Sequence, residues 1–267
     1  MKRTFKFPAV FLISICLLYF QVDSHAQKNK VILAIFAHPD DEQTVSPVLA
    51  KYAASGAAVY IAVATDGRYG FAPHFNVRDP DSLAAIRARE LKCMTSVLGI
   101  NPPIIMGLHD QFRMKEGMDS HGAQLNIVRS KVIQLFNDLK PDVVITWGSA
   151  GLTNHPDHRA VSDVVTEVFS MKQWTRPANL YYTELVTGSL TNNRYGLSTV
   201  DSSYLNVRIP VTKAEIEKAR VSWNCHKSQY TNEVIDELQA LFWKSQNGIY
   251  YFRSYRSPET TQYTFFH

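Results

Sequence analysis

Continuous apolar runs alternate with amphipathic stretches along most of this chain. Runs rich in β-branched residues predict strands that are buried on both faces of a sheet, at 31–37, 57–65, 103–106, 142–147 and 179–182. Between these runs, apolar residues recur at helical spacing, which predicts helices at 45–54, 83–98, 125–139 and 159–169. This alternation is typical of an α/β fold with an open, mostly parallel sheet flanked by helices.

The alternation weakens from about Gly188 onward. There the pattern predicts strands at 206–210 and 249–253 and helices at 213–226 and 233–243. No stretch has the Pro, Gly and Ser bias of an interdomain linker. We therefore expect one domain over 27–267 that ends in a C-terminal elaboration.

The first 26 residues have the pattern of a secretory signal peptide. Three basic residues precede an apolar run over 7–20, and Ser24-His25-Ala26 forms a small-x-small cleavage site before Gln27. A retained membrane anchor is the less favoured alternative, because this run would span about 21 Å as a helix and a bilayer core is about 30 Å thick. We expect an exported protein, periplasmic or extracellular, with no transmembrane anchor after cleavage.

Composition excludes several classes of protein. The chain has 267 residues, 45% of them hydrophobic, which is too apolar for a disordered protein. Its 28 basic and 24 acidic residues give no electrostatic sign of a nucleic-acid binder. Three cysteines are too few for a disulfide-built scaffold. Two of them, Cys93 and Cys225, lie outside the signal peptide. Export permits them to pair, but the sequence favours two small buried apolar side chains.

Two polar segments directly follow predicted strands. His38-Pro39-Asp40-Asp41-Glu42 comes after the first strand, and the segment 153–159 comes after the fourth. If the strand order is 3-2-1-4-5, these two strands are neighbours where the order reverses. Open α/β sheets bind ligands at that point, outside the carboxyl ends of the strands. We therefore expect the two segments to face each other across one site.

The residue types in these segments suit a catalytic metal ion. Zinc in hydrolases takes three nitrogen or oxygen ligands and keeps one position open. His38 and Asp41 are three residues apart in a tight turn, and His158 begins the next helix, so all three are candidate ligands.

The remaining ionisable residues offer catalytic roles. Asp40 is the candidate general base, and His155 could donate a hydrogen bond to a developing oxyanion while Asp157 orients or charges it. Either segment alone could also be an ordinary turn or a helix cap. Their joint position at two strand ends favours the metal site.

These residues carry a family resemblance. Ala37–Glu42 (AHPDDE) and His155–His158 (HPDH) resemble the two signature motifs of the PIG-L/LmbE-type zinc-dependent N-acetylglucosaminyl deacetylases. Weaker agreements are Thr65-Asp66-Gly67, Arg87 and Glu90 in an Arg-x-x-Glu-Leu helix, and His226–Gln229 (HKSQ).

The resemblance implies a Rossmann-like fold and hydrolysis of an N-acetyl group on a glucosamine-type sugar. It implies Zn²⁺, or another divalent ion, on His38, Asp41 and His158. It also implies that Arg87 holds the substrate. The alternative for Arg87 is a surface helix residue that pairs with Glu90. Arg68 stands where many relatives carry glutamate, which bears on the identity of the substrate.

Three functions remain open from the sequence. The first is an N-deacetylase that acts on a small-molecule or glycan substrate. The second is a zinc amidase that acts on another N-acylated amine or conjugate. The third is an exported carbohydrate-binding protein without catalysis. The sequence gives no indication of oligomeric state.

Overall fold

A single sheet organises the protein. The computed structural model describes residues 27–171, 175–190 and 193–266, and the predicted signal peptide at 1–26 lies outside them. The sheet contains seven strands: β1 (Val31–Phe36), β2 (Ala58–Thr65), β3 (Ile104–Leu108), β4 (Val143–Trp147), β5 (Asn179–Glu184), β6 (Val207–Pro210) and β7 (Ile249–Ser254).

The strand order is β3-β2-β1-β4-β5-β7-β6. The first five strands run parallel in the order 3-2-1-4-5, the arrangement on which the expected position of the site depends. β7 pairs antiparallel with both β5 and β6, so the C-terminal elaboration extends the same sheet. The α/β prediction is confirmed, and β1 and β4 lie side by side at the reversal of strand order.

Helices cover both faces of the sheet. They are α1 (Ser46–Ala54), α2 (Pro80–Leu98), α3 (Met118–Leu139), α4 (Pro156–Ser170), α5 (Lys213–Trp223) and α6 (Asn232–Gln246). Alternate residues of β1 enter two apolar clusters: Ile32 and Phe36 pack on one face, and Leu33 and Ile35 pack on the other. Because both faces are buried, the strand is apolar without alternation. Among the described residues, no helix is both long and apolar enough to cross a bilayer.

Helix α2 begins earlier than predicted because of its cap. The Asp79 carboxylate accepts a hydrogen bond from the Ser82 N–H at 2.8 Å, and Pro80 occupies the first helical turn. Proline is well suited to that position because its missing N–H has no intrahelical partner there. Asp81 and Ser82 therefore lie inside the helix, ahead of the predicted start at residue 83.

The two cysteines outside the predicted signal peptide form a disulfide. Cys93 in α2 is bonded to Cys225, which lies just after α5 and 132 residues further along the chain. The expectation of two unbonded, buried thiols is wrong: Cys93 is exposed and Cys225 is half-buried. The bond ties the C-terminal elaboration to helix α2.

Candidate functional site

Two strand ends bring the predicted polar segments together. His38 lies in the turn that follows β1, and His158 lies in the first turn of α4, after β4. The His38 Nδ1 atom is 3.1 Å from the His158 Nε2 atom. The adjacency of β1 and β4 therefore places side chains that are 120 residues apart in direct contact.

Three side chains present ligand atoms to one point. Asp41 Oδ1 lies 3.0 Å from His158 Nε2, and Asp41 Oδ2 lies 3.6 Å from His38 Nδ1. Ligands around a tetrahedral zinc ion, at bond lengths of 2.0–2.2 Å, are separated by about 3.4 Å. The separations of 3.0–3.6 Å therefore fit one divalent cation.

Neighbouring groups fix the orientation of these three side chains. His158 Nδ1 donates to the Gly151 carbonyl at 2.8 Å, so in the neutral ring Nε2 carries the lone pair and faces His38 and Asp41. His38 Nε2 bonds the Asp157 carboxylate at 3.2 Å, and Asp41 Oδ2 accepts two backbone N–H groups. Such outer contacts hold metal-binding histidines in the tautomer that coordinates.

The cluster is electrostatically coupled. Burial alone would lower the pKa of His38, but hydrogen bonds to Asp157 and Asp41 outweigh it and raise this pKa to about 10. Burial opposes ionisation of Asp41, yet His158 and His38 hold the pKa of that carboxyl well below its usual range. An anionic carboxylate that faces imidazole nitrogens is a ligand set for a cation.

His155 lies at the rim of this cluster. Its side chain is exposed, and one of its ring nitrogens lies within 4.8 Å of those of His38 and His158. His155 Nδ1 accepts the Asp157 N–H at 3.2 Å, so the neutral ring carries its proton on Nε2. Burial and the two neighbouring histidines lower the pKa of His155 and favour this neutral form. The Asp157 carboxylate lies 3.2 Å from His38 Nε2 and accepts the Gln111 N–H at 2.7 Å, and its charge also acts on the His155 ring.

Asp40 occupies a strained and tightly held position. Its φ of 115° is unusual for a residue other than glycine, and the Glu42 carboxylate accepts its N–H at 2.9 Å. Oδ1 pairs with Arg87 at 2.8 Å, and Oδ2 accepts the Tyr230 hydroxyl at 3.0 Å. Burial raises the pKa of this carboxyl, although the Arg87 guanidinium opposes the shift.

Arg87 is a buried residue of this site. It is only 3% exposed and donates to the carbonyls of Pro39 and Gly67 as well as to Asp40. A Cβ on Gly67 would lie 2.4 Å from the guanidinium, which explains the glycine there. The alternative of a surface pair with Glu90 is wrong, because Glu90 instead accepts the N–H and hydroxyl of Ser228.

The C-terminal elaboration supplies residues that the sequence did not assign to the site. His226 and Glu42 are fully buried and their side chains are 2.8 Å apart. Tyr230 contacts the Asp40 carboxylate, and Gln229 donates to the Gly70 carbonyl. The HKSQ segment was visible in the sequence, but nothing in it indicated which side chains it would meet.

A cavity of about 400 Å³ opens beside the three ligand atoms. Among the described residues, three buried N–H groups on its lining side chains have no hydrogen-bond partner: Gln43 Nε2, Arg87 Nε and Trp147 Nε1.

Arg68, which stands where many relatives carry glutamate, forms ion pairs with Asp66 at 2.8 Å and with Asp81 at 2.9 Å.

Comparison with known proteins identifies relatives of this site and fold. A family model described as PIG-L: GlcNAc-PI de-N-acetylase matches residues 33–169, about half of the chain. The 1D-myo-inositol 2-acetamido-2-deoxy-α-D-glucopyranoside deacetylase of Mycobacteroides abscessus is 31% identical over 60% of this chain and 62% of its own length. The enzyme of that name from Thermobispora bispora is 25% identical over 77% of this chain and 73% of its own length.

Solved structures share the fold at low sequence identity. The N,N'-diacetylchitobiose deacetylase of Pyrococcus horikoshii is 17% identical with a TM-score of 0.59, over 96% of this chain and 94% of that one. The 4-carboxy-2-hydroxymuconate hydratase GalB of Pseudomonas putida is 12% identical with a TM-score of 0.62, over 88% and 99%. Since a hydratase also has this fold, the architecture alone does not specify the reaction.

Proposed function

Since the chain belongs to the PIG-L family of de-N-acetylases, we propose that it is a metal-dependent hydrolase that removes an N-acetyl group from a GlcNAc-type sugar or glycoconjugate. The observation that carries this proposal is the convergence of His38, Asp41 and His158, whose facing ligand atoms are 3.0–3.6 Å apart beside the cavity. These residues would hold Zn²⁺ or another divalent ion. Such an ion, when bound, polarises an amide carbonyl and makes a water more acidic.

Asp40 is the proposed general base. Its carboxylate lines the cavity one residue from Asp41, and Arg87 and Tyr230 hold both of its oxygens. Burial raises its pKa, which brings it closer to that of a base working near neutral pH. Asp40 takes the proton from the attacking water and then carries the proton that the departing amine needs.

His155 is the proposed oxyanion donor. Because its Nδ1 accepts a backbone N–H, its Nε2–H is available to an oxygen that becomes negative as water adds to the amide. Asp157 fixes the His38 ring and is therefore proposed as a positioning residue. Arg87 is proposed to act by holding Asp40 at the edge of the cavity.

The lining of the cavity supports a carbohydrate substrate. Asp40, Asp110, Gln229 and Tyr230 line it with polar groups that can pair with sugar hydroxyls.

The deciding experiment uses purified protein over 27–267, loaded with zinc or treated with chelator. We expect the zinc-loaded protein to release amine and acetate from N-acetylglucosamine or its glycosides, and chelator to abolish this release. His158→Ala, which removes one ligand, should lose both bound metal and activity. Sugar binding without amine release would instead support a carbohydrate-binding protein.

We also propose that the protein acts outside the cytoplasm. The basic and apolar N-terminal pattern and the Cys93–Cys225 disulfide both support export, because disulfides persist mainly in oxidising compartments. Cell fractionation and sequencing of the mature N-terminus test this, with Gln27 as the expected first residue. A full-length cytoplasmic protein with free thiols would contradict it.

A further inference from the structure

The cavity beside the ligand atoms has a polar end and an apolar end. The polar end surrounds Asp40 and contains Arg87, Asp110 and Gln229. The apolar end is lined by Leu152, Leu197, Trp223, Val234, Leu238 and Phe242, here termed the apolar wall. An acetyl group has one methyl and would cover only a small part of this wall.

Helix α6 provides one side of the apolar wall. Val234, Leu238 and Phe242 recur every four residues and therefore share one face of the helix. Tyr230 lies two residues before α6 begins and contacts Asp40, so the helix leads away from the proposed base. From Val234 to Phe242 the stripe is roughly 12 Å long at helical rise.

The other side of the apolar wall lies against His158. Leu152 follows Gly151, whose carbonyl accepts the His158 ring proton. The Ser198 N–H donates to the Leu152 carbonyl at 2.6 Å, which brings Leu197 alongside it. The wall therefore encloses the side of the ligand cluster that carries His158, whereas Arg87 holds Asp40 on the polar side.

We propose that the apolar wall is a subsite for the acyl group and that the preferred substrates carry acyl chains longer than acetyl. This rests on the proposed hydrolase function. The sugar's hydroxyls find partners at the polar end, and the leaving nitrogen must lie near Asp40, so the acyl carbon chain points to the apolar end. The chemistry is unchanged: the amide C–N bond breaks, water supplies the oxygen of the new carboxylic acid, and the amine leaves with a proton.

An acyl series tests the subsite. Zinc-loaded protein is assayed for amine release from glucosamine that carries N-acetyl, N-butanoyl, N-hexanoyl or N-octanoyl groups. We expect kcat/KM to rise by up to about fourfold per methylene, and at least tenfold from acetyl to octanoyl. The reason is that each added methylene is removed from water and buried against the apolar wall. A value highest for acetyl that falls with chain length overturns the proposal while leaving the deacetylase function intact.

Two leucines of α6 give a matched pair of variants. Leu238 lines the cavity, whereas Leu241 is equally half-buried on the same helix but outside the cavity lining. Leu238→Gln should lower the octanoyl-to-acetyl ratio of kcat/KM at least fivefold, and Leu241→Gln should leave this ratio unchanged. Equal ratios in both variants overturn the assignment of the wall.

A second substrate arm distinguishes the acyl chain from an apolar aglycone. Methyl and hexyl glycosides of N-acetylglucosamine should be deacetylated with similar kcat/KM. A strong preference for the hexyl glycoside, without one for longer acyl chains, assigns the wall to the aglycone and overturns the proposal. Amine release from none of the compounds overturns the hydrolase function and the subsite with it.

Discussion

Replacing Asp40 by asparagine isolates the chemistry of the proposed base from the architecture around it. Asparagine is the same size and tolerates the positive φ of 115°, so the turn after β1 should keep its shape. Its amide can still bond Arg87 and Tyr230, which lie 2.8 and 3.0 Å from the carboxylate oxygens. What disappears is the ability to take a proton from water.

The expected magnitudes differ for catalysis and for stability. General-base catalysis contributes roughly 10²–10⁴-fold, so Asp40→Asn should lower kcat by at least a hundredfold, or about 3 kcal/mol in activation free energy. The buried Arg87 also loses its counter-charge but keeps two carbonyl acceptors, so we expect a stability loss on the order of 3 kcal/mol. For a protein of this size that is a fall in Tm of roughly 6–12 °C.

The assay follows amine release at 25 °C with metal content measured in the same samples. Asp81→Asn is the matched control. Asp81 lies in the first turn of α2, and its side chain is highly exposed although it forms an ion pair with Arg68. That control should keep its kcat and change stability by less than about 1 kcal/mol. If Asp40→Asn binds metal normally and retains kcat within tenfold of the unmodified protein, another group is the base.

Three further variants test separate parts of the site and fold. His155→Gln should lower kcat at least a hundredfold, or about 3 kcal/mol, with metal content unchanged; a loss of metal would instead identify His155 as a ligand. Tyr230→Phe removes the hydroxyl on Asp40 and should lower kcat/KM about 10–100-fold, the value of a hydrogen bond to a charged group, while unaltered kinetics would deny it a positioning role. Glu184 is buried at the end of β5, and burial raises the pKa of its carboxyl from 4.5 to about 7. The folded protein therefore binds this proton more tightly than the unfolded chain does, and the stability that the proton contributes is lost as pH rises from about 4.5 to 7. Glu184→Gln should therefore match the unmodified protein near pH 4.5 and exceed its stability at pH 8 by up to about 3 kcal/mol in denaturant titrations. If the variant and the unmodified protein are equally stable at both pH values, burial does not raise the pKa of Glu184.

The central features of the fold were predictable because they depend on local patterns. The apolar run at β1 reports burial on both faces, and the polar residues that follow it mark a strand's carboxyl end. Strand order 3-2-1-4-5 is a common arrangement, so proximity of His38 and His158 could be inferred without coordinates. The location of the candidate metal site was therefore available from the sequence.

The sequence determined which residues have the chemistry, and the tertiary structure decided which of them act on each other. The sequence leaves Arg87 open between a site residue and a surface helix residue, and only the structure places its guanidinium under Gly67 and against Asp40. The partners Tyr230 and Cys225 lie more than 100 residues from Asp40 and Cys93. Spacing along a chain encodes faces of helices and strands, but contacts between distant segments depend on how the whole sheet and its C-terminal elaboration pack, which no local pattern specifies.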